Sequence, residues 1–264
     1  MIVDITADVV QQEQVGTGQY RLTLSAPLIA SSAAPGQFIL VRCNDGLDPL
    51  LRRPLSIHGV NREKGQLFLL YQVKGRGTAL LAAKRKGEQL KVMGPLGRGF
   101  TLLEPGRRVI LVGGGIGVAP LVFLGQELVQ RNNRVYLLLG ARSAEQLPVE
   151  KGVYAVPFEL SVATDDGSRG YHGPVTHLLE KMLATGGADM VYACGPRDML
   201  RETALLLARY GVPGEFSLEE RMGCGVGACL SCVCKTAGKG SEPFQYRRVC
   251  VEGPVIPVEQ LVWD

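Results

Sequence analysis

Three regions of different pattern along the 264 residues predict a multi-domain β plus α/β chain: an antiparallel β-barrel over 1–102, a parallel-sheet α/β half over 103–213, and a small cysteine-bearing module over 214–264. The first region holds short β-like runs at 20–26, 37–43, 67–73 and 88–93, parted by Gly, Pro and Asn turns at the intervals of antiparallel barrels, with one short helix expected at 77–86. The second begins after Glu104, Pro105 and Gly106. There, apolar runs at 108–112, 135–139, 158–163 and 190–193 alternate with helical segments, one ending at 131 and others covering 175–183 and 198–210. Strands that read as unbroken apolar runs between helices are buried on both faces, the mark of a parallel sheet wound from βαβ units. In the third region Gly223, Gly225, Gly227 and Gly238 interleave with cysteines, as in a compact, loop-rich module.

At 46% hydrophobic and 20% charged residues, the chain has the make-up of a folded globular protein with room for two cores and an appendage. The net charge of +4 is dispersed. Its longest basic run, Lys84-Arg85-Lys86, reads as a solvated face, so no nucleic-acid partner is implied. No apolar stretch reaches the ~18 residues of a membrane span. Asp4 and Asp8 stand where a signal peptide would carry positive charge, so a cytoplasmic protein is expected. Five of the seven cysteines fall within 224–250, with Cys43 and Cys194 isolated. That distribution suits a metal site in a reducing compartment better than a disulfide framework.

Cys224, Cys229, Cys232 and Cys250 stand in the spacing C-x4-C-x2-C-x17-C, a plant-type [2Fe-2S] ligand pattern. One tight loop can wrap a cluster only if its backbone turns sharply and offers N–H groups to sulfur, and Gly223, Gly225 and Gly227 supply that freedom. Cys250, after an expected hairpin, is preferred over Cys234 as the fourth ligand. A zinc knuckle is the structural alternative; zinc usually takes paired C-x2-C ligands or histidines, and no histidine lies beyond His177.

The run 109–112 leads into Gly113-Gly114-Gly115-Ile116-Gly117 and then a helix, an arrangement that sets backbone N–H groups and a helix N-terminus against a pyrophosphate. It departs from G-x-G-x-x-G, since Val118 stands where the third glycine would, and no acidic residue ends the next strand. A turn used only for close helix–strand packing is the alternative. Cys194-Gly195-Pro196 places a second small-residue turn at the carboxyl edge of the sheet, where ligands of open α/β sheets bind. Arg53-Pro54-Leu55-Ser56 and Gly77-Thr78 add a guanidinium, hydroxyls and a helix start suited to phosphate.

In this order, these segments resemble the ferredoxin-NADP reductase superfamily, whose barrel binds FAD and whose α/β half binds a pyridine nucleotide. The cysteine run at 224–234 with Cys250, together with Ala163-Thr164-Asp165-Asp166-Gly167-Ser168, resembles the electron-transfer subunits of dihydroorotate dehydrogenase B and extends the likeness to the whole chain. The resemblance implies FAD contacts at Arg53, Pro54, Leu55, Ser56, Leu70, Tyr71, Gln72, Gly77 and Thr78. It implies NAD contacts at Gly113, Gly114, Gly115, Gly117, Cys194, Gly195 and Pro196, and cluster ligation by Cys224, Cys229, Cys232 and Cys250. Leu55 replaces the aromatic usual in the superfamily's R-x-[FY]-[ST] motif, so any flavin stacking on that side must come from elsewhere.

The implied activity passes electrons from an FMN-containing, dihydroorotate-oxidising partner subunit through the cluster and FAD to NAD+, in a heterotetramer serving pyrimidine biosynthesis. No side chain is expected as a general acid or base; His58, His172 and His177 lack a triad or metal context. The alternatives are a subunit of an NAD(P)H-dependent ferredoxin or sulfide-linked flavoprotein oxidoreductase, and a redox-sensing or zinc-binding module without turnover.

Overall fold

The computed structural model describes residues 1–148, 158–238, 240 and 242–263. Its first region is a closed six-stranded antiparallel barrel of β1 (Val3–Gly16), β2 (Gln19–Ser25), β3 (Phe38–Val41), β4 (Arg53–Asn61), β5 (Gln66–Gln72) and β6 (Gln89–Leu96), in the order β1-β2-β5-β4-β3-β6. Alternation places Leu22, Leu24, Ile39, Val41, Ile57, Leu67 and Leu69 in its core. Two short helices accompany the barrel where one was expected: α1 (Pro27–Ser32) and α2 (Arg76–Ala82). The first begins on a proline, whose fixed φ suits a first helical turn.

The second region is a seven-stranded sheet ordered β10-β9-β8-β7-β11-β12-β15. It contains β7 (Arg108–Gly114), β8 (Arg134–Ala141), β9 (Glu159–Thr164), β10 (Tyr171–His172), β11 (Met190–Cys194), β12 (Gly214–Ser217) and β15 (Val255–Pro257), of which only β15 runs antiparallel to its neighbour. Helices α3 (Val118–Gln130), α4 (Val175–Gly186) and α5 (Arg197–Tyr210) cover it. Helix α3 is apolar nearly all round because it is sandwiched. Leu121 and Leu124 pack with the sheet, while Phe123 enters the barrel core, and Arg62, just past the end of β4, pairs with Glu127 at 3.0 Å.

Strands β12 and β15 both lie within the segment expected to form a separate cysteine module, yet they complete this sheet. Between them stand the cysteine loop, a hairpin of β13 (Val233–Ala237) and β14 (Phe244–Arg248), and one helical turn, α6 (Val249–Glu252). This insertion packs on the outside of the barrel: Phe38, Leu40 and Leu96 share a buried cluster with Cys232, Val249 and Cys250. Gly225, at φ +72, lies so close to Leu40 that a Cβ would come within 2.4 Å of its Cδ1.

Candidate functional site

Strands β4 and β5 are neighbours in the barrel, with Ile57 opposite Leu69, and α2 starts just beyond β5. That topology brings Pro54, Leu55, Ser56, Leu70, Tyr71, Gln72 and Thr78 to the wall of one cavity of about 220 Å³. Arg53 flanks it. A Cβ on Gly77 would stand 2.5 Å from Arg53 Nε, so the absence of a side chain at 77 makes room for the guanidinium. Arg53 Nη1 donates to Leu51 O at 2.6 Å. Thr78 Oγ1 accepts the N–H groups of Lys74 and Gly75, which fixes the turn into α2. Tyr71 accepts a hydrogen bond from Gln12 Nε2 at 2.6 Å and stacks on Tyr20, and burial pushes its hydroxyl far above the usual range. A largely apolar wall with Lys74 in it, and the Arg53 guanidinium lying over a bare glycine one residue beyond it, fits a dinucleotide flavin.

Sequence motifs missed the far wall of this cavity. Phe38, Ile116, Ala119, Leu218 and Met222 line it from three other parts of the chain, and only tertiary packing brings them there.

The two small-residue turns meet because β7 and β11 are parallel neighbours, with Gly113 opposite Cys194. A Cβ on Gly117 would stand 2.5 Å from Cys194 O, and one on Gly114 2.6 Å from Pro196 Cδ. One on Gly113 would come 3.1 Å from Val118 Cβ, and one on Gly195 3.0 Å from Gly114. At these four glycines a side chain would therefore meet protein atoms. Gly115 differs: its φ is +54 and its Cβ position faces open space. Burial, reinforced by Glu219, pushes the Cys194 thiol far up, so it stays a neutral group. Ile116 and Ala119, which line the first cavity, belong to this turn and its helix, so the two expected cofactor sites adjoin. His58 Nδ1 lies 2.9 Å from Ala119 O, which ties β4 to the start of α3.

The four expected cluster ligands stand as two contacting pairs. Backbone N–H groups of Ala228 and Cys229 donate to Cys224 Sγ at 3.2 and 3.4 Å, and Cys224 N–H donates to Cys229 Sγ at 3.4 Å. Cys250 N–H donates to Cys232 Sγ at 3.4 Å. The first pair is outermost, with Cys229 exposed; the second is buried. Backbone donors, first from Val226 and then from Cys229, lower the Cys224 thiol to about 6. Burial and contact with Cys232 push Cys250 up. Among the described residues, no three His, Cys, Asp or Glu side chains are grouped to hold a single metal ion. Two pairs of thiols ringed by N–H donors fit a two-iron cluster, in which each iron takes two thiolates. Cys234 lies on β13 opposite Arg247 and lines a separate cleft with Trp263; burial and Glu220 push its thiol to about 11.

Comparison with known proteins agrees with this geometry. Residues 219–262 match the iron-sulfur cluster binding domain of dihydroorotate dehydrogenase B, and residues 111–204 match an oxidoreductase NAD-binding domain. A solved structure of an NADH-dependent reduced ferredoxin-NADP oxidoreductase, studied for flavin-based electron bifurcation, superimposes with a TM-score of 0.87 at 29% identity, covering 97% of this chain and 90% of that one. A ferredoxin NADP+ reductase from Neisseria gonorrhoeae with bound FAD and NADP shares the fold at 19% identity and a TM-score of 0.65, over 79% and 92% of the two chains. No helix among the described residues is long and apolar enough to cross a membrane. The dihydroorotate dehydrogenase B (NAD(+)) electron transfer subunit of Desulforamulus reducens is 47% identical over 98% of both chains, and that of Shouchella clausii 43% over 96% of both. With relatives of that closeness along its whole length, the chain belongs to the family of dihydroorotate dehydrogenase B electron transfer subunits.

Proposed function

We propose that this chain is the electron-transfer subunit of an enzyme that oxidises dihydroorotate to orotate and reduces NAD+ in pyrimidine biosynthesis. It works beside an FMN-containing catalytic subunit, in a heterotetramer with two copies of each. The observation that carries this reading is a shared wall. Phe38 lines the barrel cavity and belongs to the buried cluster that holds Cys232 and Cys250, and Leu218 and Met222 join the same two places. The inner cysteine pair therefore backs onto the flavin cavity while the outer pair, Cys224 and Cys229, reaches the surface.

FAD would lie against Arg53, Pro54, Leu55, Ser56, Leu70, Tyr71, Gln72, Gly77 and Thr78, with Arg53 pairing a phosphate. The nucleotide would lie along Gly113, Gly114, Gly115, Gly117 and the turn Cys194, Gly195 and Pro196. Cys224, Cys229, Cys232 and Cys250 would carry the cluster. A bound flavin accepts electrons in pairs or singly, which joins a nicotinamide limited to hydride to a one-electron iron-sulfur centre. The chain's own residues bind, orient and exclude water; none serves as a general acid or base.

The partner would dock over the outer cysteines. Val226, Leu230 and Val251 stand exposed around them, and Leu230 holds φ +56, a conformation that costs a non-glycine residue about 1–2 kcal/mol. Apolar side chains held outward around a surface-exposed thiol pair suit a contact that keeps redox groups close.

The second reading, a subunit of an NAD(P)H-dependent ferredoxin oxidoreductase, draws on the TM-score of 0.87 to a protein of that kind. A test separates them: the purified chain carrying FAD and iron should oxidise NADH with ferricyanide and leave dihydroorotate unconsumed by itself. A colourless, iron-free protein would sink both readings, and preference for NADPH with ferredoxin as acceptor would favour the second.

A further inference from the structure

We propose that Arg248 sets the reduction potential of the iron-sulfur centre through a single peptide group; this rests on the reading of the four cysteines as cluster ligands. Gly227 and Ala228 share that peptide. Its carbonyl oxygen accepts a hydrogen bond from Arg248 Nη1 at 3.2 Å, and its N–H donates to Cys224 Sγ at 3.2 Å. A cation at the carbonyl end draws electron density toward oxygen and leaves the N–H a stronger donor, so the bond to sulfur tightens. Hydrogen bonds to the sulfurs and net charge are among the factors that set a cluster's potential. Both favour the reduced form, which carries one more negative charge.

The guanidinium is held for this task. Glu252 Oε2 accepts from Arg248 Nε at 3.1 Å and from the Arg248 backbone N–H at 2.9 Å. The two side chains are 39% and 33% exposed, so solvent screens their charges only in part. Gly227, at φ +83, lies flat on the turn that carries Cys250: a Cβ there would come 2.7 Å from Val251 Cγ2 and 3.2 Å from Arg248 Nη1. Arg248 is thus a positioning residue that acts on Cys224 through the Gly227–Ala228 amide, with Glu252 opposing its charge.

The experiment uses the whole chain isolated with its cofactors. The cluster's midpoint potential is read by mediated dithionite titration followed by electron paramagnetic resonance, and iron is counted on the same samples. R248Q is expected to lower the potential, moving the ratio of oxidised to reduced cluster about tenfold at fixed potential, about 59 mV for one electron. R248K should keep most of the wild-type value, and E252Q should raise it by removing the opposing anion. A loosened loop would not shift the two variants in opposite directions. Equal potentials in loaded wild type, R248Q and E252Q overturn the proposal and leave the cluster reading standing. If R248Q takes up no iron, E252Q decides alone, and an unshifted or lowered potential overturns the proposal. A wild-type chain that binds no iron overturns the cluster reading and the proposal with it.

Discussion

The Arg53 guanidinium lies across Gly77 so closely that a methyl group on Gly77 would stand 2.5 Å from Nε. The contact is to a flexible side chain, so G77A should fold with little change in thermal midpoint while displacing the guanidinium. A charge-assisted hydrogen bond contributes about 1.5–3 kcal/mol, so R53A should weaken FAD binding roughly ten- to hundredfold. G77A should weaken it less, and the double variant by no more than R53A alone, because both act through one group. Flavin fluorescence titration measures all three; full additivity would separate Gly77 from Arg53.

Cys229 lies in the outer thiol pair and Cys234 lines a separate cleft. C229S should lose the cluster and its visible absorption while keeping bound FAD. C234S should keep both. Iron, sulfide and flavin assays on purified protein check the pair, and full iron content in C229S would remove Cys229 from the ligand set.

Gly117 and Gly115 stand two residues apart and should respond differently. A Cβ at 117 meets backbone, 2.5 Å from Cys194 O, so G117A should destabilise the chain by about 1–3 kcal/mol. G115A meets open space and bears only the cost of φ +54, about 1 kcal/mol. Denaturant titration gives the order, and a larger loss for G115A would contradict the packing described here.

Backbone donors lower the Cys224 thiol to about 6, well below the usual thiol range, so the charged form prevails at neutral pH. In the iron-free chain, alkylation of Cys224 should therefore rise through pH ~6 and level off. Cys234, pushed to about 11, should react only in alkali. Peptide mass mapping of iodoacetamide adducts across pH measures this; a Cys224 rate that climbs only near pH ~9 would contradict it.

Much of the architecture was legible in the sequence because the patterns that carried it are local. The buried run at 109–112, the helix beginning at Val175 and the C-x4-C-x2-C spacing each depend on residues close in the chain. Long-range pairing was not legible. Strand β15 joins the sheet only because it meets β12, some forty residues earlier in the chain, and Phe38 lines the barrel cavity and packs with Cys232 and Cys250 only through folding. Helix α1 escaped notice because its six residues include two serines and one proline, too short and mixed for a helical period. For Gly113, Gly114 and Gly117 the nearest neighbours are protein atoms, a demand that sequence alone does not distinguish from ligand binding.

The central claim is that this chain conveys electrons from dihydroorotate oxidation to NAD+. The most direct measurement combines the FAD- and iron-loaded chain with an FMN-containing dihydroorotate dehydrogenase catalytic subunit and follows NADH and orotate after dihydroorotate and NAD+ are added. The account predicts one NADH per orotate, requiring both subunits and abolished by C229S. NADH formed equally well by the catalytic subunit alone, or none formed by the fully loaded pair, would contradict it.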